Sequence, residues 1–103
     1  MSHSLYVVQM DVPPHLEEDF NRIYDTQHIP EIMKVPGVLG VKRYVLEKSA
    51  APGVPKYTAV YRVTSPDVPQ SAAWIAASDT GEWKPRIRPH TTNRIHALYR
   101  ELP

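Results

Sequence analysis

The sequence predicts a single α+β domain whose elements follow one another as strand, helix, strand, strand, helix, strand. Three observations carry that reading. Four segments, residues 5–10, 38–47, 56–64 and 93–101, are dense in strand-forming residues. Two others, 15–27 and 72–77, change to helical periodicity or helix-favouring composition. The 11 prolines and 4 glycines fall mostly between these segments, where turns are wanted.

The first strand, Leu-Tyr-Val-Val-Gln-Met at 5–10, is closed by Asp11-Val12-Pro13-Pro14. From His15 the period changes: Leu16, Phe20, Ile23, Tyr24 and Gln27 fall within an arc of about 100°, with Glu17, Glu18, Asn21, Arg22 and Asp25 elsewhere. Acidic groups lie near this helix's positive N-terminal end. His28 lies about 40° past Tyr24 on the same wheel, at the margin of the apolar stripe. Pro30 disfavours helical geometry at Ile29, so a backbone break is expected just after His28.

Pro36-Gly37 then opens the second strand, and 48–55 (Lys-Ser-Ala-Ala-Pro-Gly-Val-Pro) reads as a loop. In the third strand Tyr57, Ala59, Tyr61 and Val63 share one side and Thr58, Val60, Arg62 and Thr64 the other, which predicts antiparallel pairing with the second. Asp67-Val68-Pro69-Gln70 has capping-box spacing ahead of the second helix, which is expected to end near 78–81. Residues 83–92 read as a basic, proline-broken connection to the last strand. This succession in about 100 residues is the split ferredoxin-like βαββαβ arrangement, an antiparallel four-stranded sheet with both helices on one face. Several strands carry apolar or aromatic groups on both sides, so the second face needs a cover, and two copies packing sheet on sheet supply one.

A chain of 103 residues makes one domain, 1–103, that buries roughly two-thirds of its unfolded surface. The formal net charge of +1 argues against nucleic acid as the main partner. No apolar run approaches the roughly 18 residues of a membrane span, and residues 1–5 have neither a basic start nor an apolar core, so no membrane partner and no secretory leader are expected. With no cysteine there is no disulfide, thiolate nucleophile or Cys-ligated zinc, in keeping with a cytoplasmic address.

His28, eight residues before Pro36-Gly37, together with Leu5-Tyr6-Val7-Val8 and Lys42-Arg43-Tyr44, resembles the dimeric alpha-beta barrel superfamily, and within it the EthD-like and methylmuconolactone-isomerase-like proteins. The resemblance implies two sheets facing each other across a cavity for a small, usually cyclic or aromatic molecule, often with no cofactor. It implies His28 as the polar group at the helix end and Tyr6 and Tyr44 as strand aromatics near the cavity. Such proteins include isomerases, polyketide cyclases, cofactor-independent monooxygenases, haem-using enzymes and members of unassigned activity, so fold does not fix the reaction.

From the residues themselves, a neutral imidazole at His28 suits general acid–base chemistry, while the bland alternative is a helix C-terminal histidine on the last carbonyls. Asp25 is a possible orienter of that ring or a solvated surface carboxylate. Tyr61 joins the candidate binding residues on composition. Trp83 does so because it follows Gly81 in a loop with Lys84, Arg86, Arg88 and His90, where it could close over a ligand. His96 alternates with Arg94 and Leu98 on the last strand. His28 and Glu31 alone do not make a metal centre, and nothing in the spacing of His90 or His96 demands haem. The expectation is therefore a homodimeric, cofactor-free enzyme without metal, in which His28 moves a proton in an isomerisation, cyclisation or elimination of an oxygenated cyclic or aromatic molecule. The alternatives are a cofactor-independent monooxygenase of an electron-rich phenol and a non-catalytic binding protein.

Overall fold

A computed structural model describes residues 3–103; the reading of residues 1–5 as leader-free lies partly outside them. Strands β1 (Ser4–Asp11), β2 (Val38–Val45), β3 (Tyr57–Val63) and β4 (Thr92–Arg100) form one sheet in the order β2-β3-β1-β4. All three pairings are antiparallel, and Val8 lies opposite both Ala59 and His96. The fold is the ferredoxin-like α+β arrangement expected. No helix among the described residues is long and apolar enough to cross a membrane.

Period-two alternation decides the two faces. Tyr6, Val8, Met10, Ala59, Tyr61 and Val63 point toward the helices, and most are buried. Phe20, Ile23, Ile32, Trp74 and Ile87 close over them. Gly37 makes the turn into β2 at φ +95°, and a Cβ there would stand 2.6 Å from Val68 Cγ2 and 2.8 Å from Thr64 Oγ1.

Two local expectations are corrected. The first helix does not break before Pro30. It runs as α1 (Glu17–Ile23), a wider π-turn (Tyr24–His28) and α2 (Ile29–Ile32). Ile29 N–H reaches back five residues to the Tyr24 carbonyl, and Thr26 Oγ1 donates to the Arg22 carbonyl at 2.6 Å. The wide turn accommodates a proline that lacks an N–H and would crowd a tight α-turn. The second helix, α3 (Ala72–Ser78), is not capped by Asp67, which makes no side-chain cap bond. Residues Val68–Gln70 form a separate 3-10 turn, and Ser71 Oγ accepts from Trp74 N–H at 3.1 Å as the true N-cap.

Candidate active site

His28 is the last residue of the π-turn and is 5% exposed. Its ring lies 4.8 Å from those of Tyr24 and Trp83, and its Nδ1 is buried with no hydrogen-bond partner. Burial, and then the charges of Arg88 and Arg43, lower its pKa from the usual 6.5 to about 4. The imidazole is therefore neutral at pH 7. Asp25 does not orient it: that carboxylate turns to Arg43, with Nη1 to Oδ1 at 2.9 Å.

The connection 83–92 is more ordered than its prolines suggest. Trp83–Ile87 forms a second π-turn and Arg88–His90 a 3-10 turn. Gln27, the neighbour of His28, fixes this segment: its Oε1 accepts from Glu82 N–H at 2.9 Å and its Nε2 donates to the Glu82 carboxylate. Gly81, at φ +67°, lies against that same side chain. One residue thus ties the turn that holds His28 to the turn that holds Trp83.

Between these turns, α3 and the sheet lies a cavity of about 260 Å³, bordered by His28, Tyr6, Tyr61, Trp83 and His96. Five of the six residues singled out in the sequence therefore converge. Trp74 stands edge-on to Tyr61 at 5.0 Å and to Tyr6 at 5.5 Å, so this buried core residue also forms cavity wall. Tyr24 and Tyr61 share a short hydroxyl–hydroxyl hydrogen bond. Burial pushes the Tyr24 hydroxyl up to about 12, against the opposing hydrogen bond from Tyr61, and raises Tyr61 well above its usual value. Both phenols stay protonated. Over Tyr24, Arg43 stacks its guanidinium 4.6 Å from the ring centre and donates to Asn21 at 2.8 Å.

The cavity mouth lies at edge strand β4, where His96 and Arg94 are exposed. Arg88 also borders it, held by Asp79 at 2.9 Å, the Ser78 carbonyl at 2.8 Å and Ser78 Oγ at 3.0 Å. Arg86 instead pairs with Glu82 and Asp19 at the surface.

Tyr44 does not join this group. It is 54% exposed on the opposite sheet face, beside a hollow of about 380 Å³ bordered by Leu5, Gly40, Lys42, Val60 and Arg62. The cavity containing His28 is thus not the expected one between two sheets but one between sheet and helices in a single chain. Register is the reason: Tyr44 pairs with Thr58, whose side chain faces away from Tyr57 and Ala59. The sequence reading passed over Tyr24 as core and Arg94 as a mere strand neighbour. The usable signals were the i, i+4 spacing of Tyr24 and His28, and the i, i+2 spacing of Arg94 and His96.

No group of three or more His, Cys, Asp or Glu side chains among the described residues could hold a metal ion. The walls of the cavity are mainly aromatic, from Tyr6, Tyr24, Tyr61, Trp74 and Trp83.

Comparison with solved structures bears on the fold, and several of them share this ferredoxin-like architecture over the whole chain. An EthD family protein from Bacillus halodurans C-125 superposes with a TM-score of 0.65 at 15% identity, covering 99% of this chain and 100% of its own. The haem-degrader MhuD from Mycobacterium tuberculosis, solved with two haems in its active site, gives a TM-score of 0.64 at 18% identity over 97% and 96%. SnoaB, a cofactor-independent oxygenase from Streptomyces nogalater, gives 0.57 at 15% identity over 96% and 92%. No protein-family profile matches the chain, and no curated protein matches it.

Proposed function

We propose that the chain is a small enzyme whose cavity binds an oxygenated cyclic or aromatic molecule and whose neutral His28 imidazole accepts a proton from it. The observation that carries this reading is an uncharged, buried histidine with an unpartnered Nδ1 in the wall of an aromatic cavity. Buried polar atoms are nearly always satisfied, and a catalytic role is one of the few reasons for an exception. The π-turn that holds His28 is also a feature frequent at functional sites.

The low proton affinity of His28 narrows the substrate. Moving a proton to a base of pKa about 4 is uphill by roughly 8 kcal/mol from a phenol of pKa about 10, but by about 4 kcal/mol from an acid of pKa near 7. An enolisable 1,3-dicarbonyl or a hydroxyquinone suits this base better than a simple phenol. The anion formed then collapses by isomerisation, cyclisation or elimination, with no cofactor required for any of these steps. Two copies, packed through the outer sheet faces, would form the homodimer.

A second reading, favoured by the shared fold with SnoaB, routes the same anion to dioxygen as oxidant. Both begin at His28. The experiment is deuterium exchange at the acidic C–H of an aromatic 1,3-diketone, followed by NMR, together with an oxygen electrode. The protein should accelerate exchange, and His28→Gln should lower the acceleration roughly 100- to 10,000-fold. Exchange that His28→Gln leaves unchanged would reject proton transfer at this residue, whereas substrate-dependent oxygen uptake would select the second reading. Saturable binding without exchange or oxygen uptake would mark a non-catalytic binding protein.

A further inference from the structure

The cavity carries an imbalance of charge that proton transfer by itself does not need. Its wall includes three side chains with a fixed charge at neutral pH: Asp79, Arg88 and Arg94. Asp79 is taken twice over, by Arg88 at 2.9 Å and Lys84 at 3.3 Å. These contacts hold its carboxyl below the usual range, so it remains an anion already committed to cations. Arg88 spends its guanidinium on Asp79 and Ser78. Arg94 has neither a salt bridge nor a side-chain hydrogen bond to any described residue.

Arg94 stands at the mouth, two residues from His96 on the inner face of β4. Burial raises the pKa of the Tyr6 hydroxyl and lowers that of the His96 ring; the charge of Arg94 opposes the first shift and adds to the second. A guanidinium is a rigid fork that matches a carboxylate with two parallel hydrogen bonds. Beside it, Tyr6 offers a protonated hydroxyl and, with Trp74, aromatic wall.

We infer that the ligand of this cavity is an anion, a carboxylate on an aromatic or cyclic body, and that Arg94 binds its charged group while the rings of Tyr6, Trp74 and Trp83 hold the body. This inference rests on the cavity being a ligand site, as proposed above, and it assigns substrate class and a specificity-determining residue.

The test compares benzoate with its neutral counterpart benzamide, read by quenching of Trp74 and Trp83, the two tryptophans of the chain, both of which face the cavity. Benzoate should bind at least about tenfold more tightly, the scale of one charge-assisted hydrogen bond. Arg94→Gln should abolish the preference and Arg94→Lys should restore part of it, while Arg100→Gln, further along β4, should leave it intact. Equal affinity for the two probes, binding of neither, or a preference that survives Arg94→Gln would overturn the inference. The readout is binding, so the two ideas fail separately. Anion preference persisting in His28→Gln while exchange is lost upholds both, and loss of the preference with exchange intact removes only the assignment of Arg94.

Discussion

The same four strands build both faces of the sheet, yet the faces meet different fates. On the inner face Met10, Tyr61 and Val63 are 3%, 1% and 0% exposed beneath the helices. On the outer face Tyr44, Ile95 and Tyr99 are 54%, 42% and 57% exposed. The fold measures 41 × 35 × 17 Å, a slab only two layers thick, and none of the described residues covers that second surface. Alternation puts side chains on two sides of a strand; which side becomes a core depends on what is laid against it. Over β1 and β3 the inner face is covered by helices of its own chain, and the cavity beneath them opens beside β4. The outer face leaves large apolar groups exposed, the surface through which a second copy is proposed to pack.

Substitutions that act on one face and spare the other test this contrast. The largest effect should come from Phe20→Ala, which empties the space against Tyr57, 4.8 Å away between ring centres, and against Tyr24 and Trp83. A loss of about 3–5 kcal/mol is expected in denaturant unfolding. A loss under about 1 kcal/mol would mean that the inner face is not the core that holds the fold.

Next comes acid. Free histidine takes its proton near 6.5 and His28 in the fold only near 4, so between these values the unfolded chain binds more protons than the folded one. Stability is full above pH 6.5, falls as pH drops toward 4, and loses nothing more from this group below that. The full loss is about 3 kcal/mol, and His28→Gln should flatten the slope. His96, also lowered by burial, contributes in the same direction.

Smaller again is Tyr61→Phe, which leaves the buried Tyr24 hydroxyl without its partner at a cost of roughly 1–3 kcal/mol, measured by thermal unfolding against the parent. The smallest effect on the fold itself belongs to the outer face. Tyr99→Ser should change the stability of the single chain by no more than about 0.5 kcal/mol, yet shift sedimentation toward monomer at micromolar concentration. Unchanged association would show that this face serves some other contact.

Much of this architecture was legible in the residues. Strand periods in Tyr57–Val63, the apolar arc of Phe20, Ile23 and Tyr24, and the Pro36-Gly37 turn state local preferences that the structure keeps. Pro30 does not break the helix: Ile29 keeps helical angles, φ −60° and ψ −47°, against the local steric preference, and the π-turn carries the chain into α2. Asp67 misled because two cap-like residues, Asp67 and Ser71, stand four positions apart and only the position of the first helical turn selects between them.

The sequence by itself determined the order of elements, the alternation of each strand and the presence of an imidazole beside a helix margin, since these depend on neighbours within a few residues. Tertiary structure decided which side of the sheet each strand offers to the helices. It thereby placed Tyr6, Tyr61 and His96 with His28 and put Tyr44 on the opposite face. It also brought Trp83 onto His28 through Gln27 and Glu82, 55 residues apart in the chain. Contacts across that separation are set by register and packing, and no local pattern of residues encodes them.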